Sequence, residues 1–167
     1  MSNFKLQIDE DLIALNFDAK DRRQVLTELG QRVLSKGYIT GQFIERLLER
    51  EEEFPTGLEM VYPIALAHVG GDCVQSFLSL AITKKPVIFH SMDGSGKELP
   101  VSLVFMFGIT NPIEQVEVLK RFIFAFREEE NLRKLKDLQD KKAILELLKN
   151  LLGDGLEVNR AVKEGVG

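Results

Sequence analysis

The stretch "VSLVFMFGI", Val101–Ile109, is apolar at nearly every position, and no other segment constrains the fold as much. A strand with one wet face alternates apolar and polar residues, so one that reads apolar throughout has to be covered on both faces. This segment therefore belongs at the centre of a sheet with helices on either side. Shorter strand-like runs precede it: "IALA" at 64–67, "FLSLAIT" at 77–83 and "VIF" at 87–89. Helical periodicity appears before and after them. Val25, Leu26, Leu29, Val33 and Leu34 form one stripe between Lys20 and Lys36, and Gly37 stands where a helix ends. Thr40 reads as the N-cap of a second helix running to Glu53, with Phe43, Ile44, Leu47 and Leu48 inward, and "FPTG" then turns the chain. Asn111-Pro112 is a cap and first-turn pair opening a helix whose Val116, Leu119, Phe122, Ile123 and Phe126 are expected to face the core. Two more helices are expected, from about Glu129 to Leu138 and from Lys141 to Leu152, followed by a frayed tail, "GDGLEVNRAVKEGVG". With helices first and last and most strands between them, the expected class is α/β: a single-domain sandwich whose mixed sheet carries helices on both faces. The domain is expected over 1–153, with a flexible tail over 154–167.

Composition narrows the function. The 167 residues are 44% hydrophobic and 29% charged, enough to bury one core. Twenty-two Lys and Arg against 26 Asp and Glu give a net charge of −4, which disfavours nucleic acid as a partner. The N-terminal "MSNFKLQIDEDLIALNF" lacks a basic segment followed by an apolar core, and no run approaches the roughly 20 apolar residues of a membrane span. A cytoplasmic protein with no membrane insertion is expected. The single cysteine, Cys73, cannot form an internal disulfide, consistent with a reducing compartment.

Chemistry concentrates in "FPTGLEMVYPIALAHVGGDCV", Phe54–Val74, where an apolar strand ends in His68 and two glycines follow. A histidine at the end of a strand reads in two ways, as a packed residue or as a reactive one on a rigid mount. Gly70-Gly71 would let backbone amides approach an anion, and a short helix beginning near Asp72 would add partial positive charge. A neutral imidazole in such a place can carry a phosphoryl group, a reaction that asks mainly for positioning and electrostatic stabilisation. It needs a ring that is accessible, unprotonated and surrounded by donors. Arg50, 18 positions earlier at the end of the second helix, reads either as a donor for that site or as a solvated charge pairing with "EEE". Cys73 with His68 could form a nucleophilic pair, but no third polar group is marked to orient it. His68, Cys73 and His90 match no zinc-ligand spacing, so no metal and no cofactor is expected. "MDGSGK" lacks the phosphate-loop pattern, and the charge runs "EREEE" and "REEENLRKLKD" read as solvated helical faces.

The segment "EREEEFPTGLEMVYPIALAH", with "LSKGYITGQFIERLL" before it and "PVIFHSMDG", "LPVSLVFMFGITNPIEQVEVLKRF" and "AILELLKNLL" after it, resembles the type-two enzyme IIA domains of the bacterial phosphoenolpyruvate-dependent sugar phosphotransferase system. "FPTGL" and "NPIEQ" look most like the galactitol branch. The resemblance implies an α/β sandwich and a reaction in which His68 takes phosphate from the phosphocarrier HPr and passes it to a cysteine of an enzyme IIB, which serves a membrane enzyme IIC. It implies a phosphate-stabilising role for Arg50, and it places Gln115 where some members have a second histidine. Two departures stand out. Ala67 replaces the proline usual before the histidine, and "VGGDC" replaces a Thr-Asp-Pro type loop. The alternative they raise is a regulatory or sensory module of the same fold, whose phosphorylation state controls partners instead of transport.

Overall fold

In the computed structural model, which describes residues 4–159, the apolar run lies in β6 (Glu98–Ile109), with neighbours hydrogen-bonded along both edges. On one side is β4 (Ile64–Gly70), parallel and in continuous register from Ile64↔Leu103 to Gly70↔Ile109. On the other is β5 (Phe77–His90), antiparallel, pairing Phe77 with Gly108 and His90 with Glu98. The remaining strands are β1 (Leu6–Ile8), β2 (Ile13–Phe17), β3 (Gly57–Leu58) and β7 (Leu156–Val158). Among the described residues they complete a mixed seven-stranded sheet ordered β3-β4-β6-β5-β1-β7, with β2 also running parallel to β5.

Alternation along β6 sends side chains to opposite faces, and each face meets its own helices. Phe77, across from Gly108, packs against Tyr38 and Phe43, where α1 (Arg22–Ser35) and α2 (Gln42–Glu53) lie. Phe105 and Phe107 point the other way and meet Phe122 and Phe126 of α3 (Gln115–Phe126), which is backed by α4 (Glu129–Asp137) and α5 (Lys141–Leu152). All four phenylalanines are fully buried, each burial contributing about 2–3 kcal/mol before entropy is counted.

Caps set the helix ends. Asp21 accepts from the Gln24 amide at the start of α1, and Asp140 from that of Lys142 at the start of α5. Asn111 accepts from the Ile113 amide, opening a 3-10 turn with Pro112 that leads into α3.

Several expectations need correction. Thr40 does not cap α2: the helix starts at Gln42, with Gly41 at the cap position and no side-chain bond. The α3 stripe is rotated, burying Val118, Phe122, Ala125 and Phe126 and leaving Val116 and Ile123 exposed, because the contacts of Phe122 and Phe126 with Phe105 and Phe107 set which face of the helix turns to the sheet. Residues 77–83 and 87–89 belong to one strand, whose pairing lapses between Ile82 and Val87 around exposed Lys84, Lys85 and Pro86. Helices do not come first, since β1 and β2 precede α1. The start of the expected tail is ordered: buried Leu156 begins β7, which pairs with β1 over Leu6↔Leu156 to Ile8↔Val158. The rest of that stretch, 160–167, lies outside the described residues.

The far end of the β5–β6 hairpin folds back onto β3. The Met92 amide donates to the Gly57 carbonyl at 2.7 Å, and a Cβ on Gly57 would stand 2.5 Å from the His90 carbonyl oxygen. Backbone cannot yield there as a side-chain tip can, so Gly57→Ala is expected to destabilise the fold by about 1–3 kcal/mol in urea unfolding. Gly41→Ala, which meets nothing within 4 Å and has helical dihedrals, is expected to change stability by less than about 0.5 kcal/mol.

Candidate functional site

The edge of β4 is where the chain's reactive candidates gather. β3 pairs with β4 only over Gly57↔Ala65 and Leu58↔Ile64, and the Leu66 amide adds a bond to the Thr56 carbonyl at 3.1 Å. Continuing that register places Phe54 opposite His68. Phe54 is also the C-cap of α2, its amide donating to the Arg50 carbonyl. The "FPTG" turn thus brings the last turn of α2 alongside His68.

The His68 side chain shares a face of the sheet with Phe107, its register partner on β6. The two rings stack with centroids 4.9 Å apart and planes 11° apart, and Phe107 stacks in turn on Phe122 at 5.8 Å and 15°. Nδ1 of His68 lies 2.7 Å from the Leu66 carbonyl oxygen. A carbonyl only accepts, so Nδ1 carries the proton and Nε2 the lone pair. The ring is largely buried, at 8% exposure, and this corrects the expectation of an open imidazole. Its opening is confined to one edge. Every buried side-chain nitrogen and oxygen among the described residues has a hydrogen-bond partner; the bond of this ring is made through Nδ1, so Nε2 is the atom that reaches the surface. Burial holds the imidazole below its ordinary pKa near 6.5, the Leu66 carbonyl opposes this, and the Arg50 charge pushes further down. The ring is therefore neutral at pH 7.

Arg50 is close enough to act on His68 electrostatically, and its guanidinium lies over the exposed Phe54 ring, 5.1 Å from the centroid. Gln115, in the first turn of α3, sets its Oε1 3.3 Å from where a Cβ on Gly70 would stand, two residues past His68 on the same face. All three residues converge on the C-terminal end of β4. Exposed Phe54, Val74, Ile113 and Val116 occur on the segments around it, an apolar margin beside a polar centre.

The loop after β4 differs from expectation. No helix begins near Asp72; Gly71 and Asp72 are both left-handed, at φ +76° and +62°, and Cys73 bridges to Ile39. The Asp72 carboxylate is paired with Arg46, one turn before Arg50 on α2. Its charge is thereby offset instead of facing the histidine bare.

The family model for "Phosphoenolpyruvate-dependent sugar phosphotransferase system, EIIA 2" matches residues 6–151. This chain belongs to that family. It is 29% identical over 101 residues to the galactitol-specific EIIA component of Escherichia coli, covering 60% of this chain and 67% of that one. Solved EIIA structures share the fold. The nitrogen regulatory protein IIA-Ntr of Neisseria meningitidis superposes with a TM-score of 0.70 at 22% identity, over 86% of this chain and 96% of that one. The mannitol enzyme IIA of Escherichia coli, in its complex with phosphorylated mannitol enzyme IIB, superposes with a TM-score of 0.69 at 19% identity, over 84% of this chain and 95% of that one.

His90, the second histidine, lies apart from this site. His90 sits where the hairpin folds back, its Nε2 3.8 Å from a Glu98 oxygen. Among the described residues no group of three or more His, Cys, Asp or Glu is placed to hold a metal ion, and no helix is long and apolar enough to cross a membrane. Sequence reasoning missed Phe107, Leu66 and the Arg46–Asp72 pair, because each depends on strand register or a loop path that no local pattern records.

Burial and the neighbouring Asp72 push the Cys73 thiol up to about 11. At pH 8 such a thiol is ionised in about one molecule in a thousand. Cys73 is expected to react with iodoacetamide at pH 8 on the order of a hundred-fold more slowly than free cysteine, followed by mass spectrometry. A rate near that of free cysteine would contradict its half-buried, unionised state.

Proposed function

We propose that this chain is a phosphohistidine carrier, the enzyme IIA component of a sugar phosphotransferase system of galactitol-like type. It accepts phosphate from HPr on His68 and passes it to a cysteine of an enzyme IIB, through which it serves a membrane enzyme IIC. The domain, 1–153 together with the sheet strand β7, acts in the cytoplasm. One observation carries this reading: a neutral imidazole whose Nδ1 is tied to a carbonyl presents only its Nε2 lone pair at the surface, beside an arginine.

The chemistry balances without an added base. Nε2 attacks phosphorus as the donor's N–P bond breaks, and the donor ring recovers that electron pair. The Nδ1 proton stays in place. Positive charge gathers on the ring as the new N–P bond forms, and the Leu66 carbonyl stabilises it through the Nδ1–H bond. Arg50 offsets charge on the equatorial oxygens, and the Gln115 amide, whose Oε1 is the atom nearest Gly70, offers a neutral donor through its Nε2 hydrogens. Transfer to the IIB thiolate reverses these steps. The apolar margin of Phe54, Val74, Ile113 and Val116 suits transient docking of both proteins. Membership of the family supports the reading, as does the solved IIA–IIB complex of the Escherichia coli mannitol protein.

Incubation with phosphoenolpyruvate, enzyme I and HPr is expected to give an acid-labile label on Nε2 of His68, located by NMR. His68→Ala should accept none. Arg50→Ala should slow transfer by about 100-fold, the scale of one lost charged donor, and Gln115→Ala by about 5-fold, that of one neutral bond. Because the imidazole pKa is depressed, the acid limb of the rate should fall below pH 6.5 and not above it. A label elsewhere, or full activity in His68→Ala, would overturn the proposal. Label that reaches His68 but never passes to an enzyme IIB would favour the regulatory alternative.

A further inference from the structure

Glu51 follows Arg50 in a run of three glutamates, yet it is buried at 4% exposure while Glu52 and Glu53 are exposed. Its two oxygens are both occupied by Thr56. Oε2 accepts from the Thr56 amide and Oε1 from the Thr56 hydroxyl, each at 2.7 Å. Thr56 is equally buried.

The consequence lies in the ladder. In an antiparallel sheet, a hydrogen-bonded pair exchanges two bonds, each residue donating to the other. Thr56 and Leu66 form such a pair, but only half of it is made: the Leu66 amide donates to the Thr56 carbonyl at 3.1 Å, while the Thr56 amide turns to Glu51. The Leu66 carbonyl, left without its ladder donor, accepts from Nδ1 of His68 at 2.7 Å. We infer that Glu51 is a positioning residue for His68: by drawing the Thr56 amide away from Leu66, it frees the carbonyl that holds the imidazole in the Nδ1–H form with Nε2 available.

The role is indirect, since Glu51 bonds Thr56 and not the ring. Without an acceptor on residue 51, the Thr56 amide closes the ladder onto Leu66 and competes with Nδ1 for its carbonyl oxygen, so the bond that holds the ring in one tautomer weakens and the proton distributes over both nitrogens. The rate consequence rests on the carrier proposal above, but the tautomer does not.

The test uses the whole chain, with ring nitrogens of His68 read by long-range proton–nitrogen NMR in the absence of any phosphoryl donor. Wild type is expected to show the Nδ1–H tautomer. Glu51→Gln keeps an acceptor for the amide and a donor for the Thr56 hydroxyl, so it should retain that tautomer and transfer phosphate within about 3-fold of wild type. Glu51→Met, apolar and similar in size, should give a mixture of tautomers and slow transfer at least 10-fold. Should Glu51→Met fail to fold, Glu51→Asp, one methylene shorter, should show a partial loss of Nδ1–H in its place. An unchanged Nδ1–H tautomer in whichever of these two variants folds would overturn the inference, whatever its rate. Slow transfer with the tautomer changed supports it. A changed tautomer with no phosphate accepted even by wild type would uphold the positioning role and remove the carrier reading instead.

Discussion

A single hydrogen bond, from Nδ1 of His68 to the Leu66 carbonyl, organises the functional end of this molecule. It decides which nitrogen bears the proton, and with it which nitrogen has electrons to share. Two further constraints give that bond its effect. Phe107, itself stacked on Phe122, occupies one face of the imidazole, so the ring cannot swing away without undoing core packing. The last turn of α2 lies along the same strand edge and brings Arg50 beside the ring. Core, sheet edge and helix end thus act together on one side chain. This is the sense in which the fold serves the chemistry: rigid elements hold the reactive group, and little is left to loops.

The departure at Ala67 also finds a physical place. β4 and β6 pair without interruption from Ile64 to Gly70, and Ala67 sits within that ladder opposite Met106, fully buried. An alanine there keeps an amide hydrogen that proline lacks. What the backbone loses in torsional restraint, it regains from unbroken pairing to the central strand and from the ring stack behind His68. The "VGGDC" loop is likewise held, by the Arg46–Asp72 pair and the bridge from Cys73 to Ile39. Its left-handed turn carries the chain from the end of β4 toward the N-terminal end of α2.

Much of this was legible in the residues because local physics sufficed. α5 runs over Lys141–Leu152 as its periodicity implies, and the apolar run at 101–109 lies between two neighbours because only burial on both faces explains it. Short strands were another matter. Leu6–Ile8 and Leu156–Val158 are too brief to show a period and exist because they pair with each other across almost the whole chain. Glu51 illustrates the limit best. In "EREEE" it looks like one more solvated charge, and only the return of the chain through "FPT" encloses it and supplies its two donors. The position of His68 could be read from its strand; what sets its proton could not, since the Leu66 carbonyl is open to the ring through a half-made pairing with Thr56, and the ring's stacking partner comes from the parallel register with β6.

The aromatic backing of His68 bears on traffic at the site. With one ring face covered and one nitrogen tied down, the imidazole offers a narrow angle of approach, in its own plane and from the rim side. A protein delivering a group to that nitrogen and a protein collecting it must use the same doorway. On the carrier proposal, donor and recipient cannot attend together, and each visit has to end before the next begins, which rewards rapid departure over tight grip.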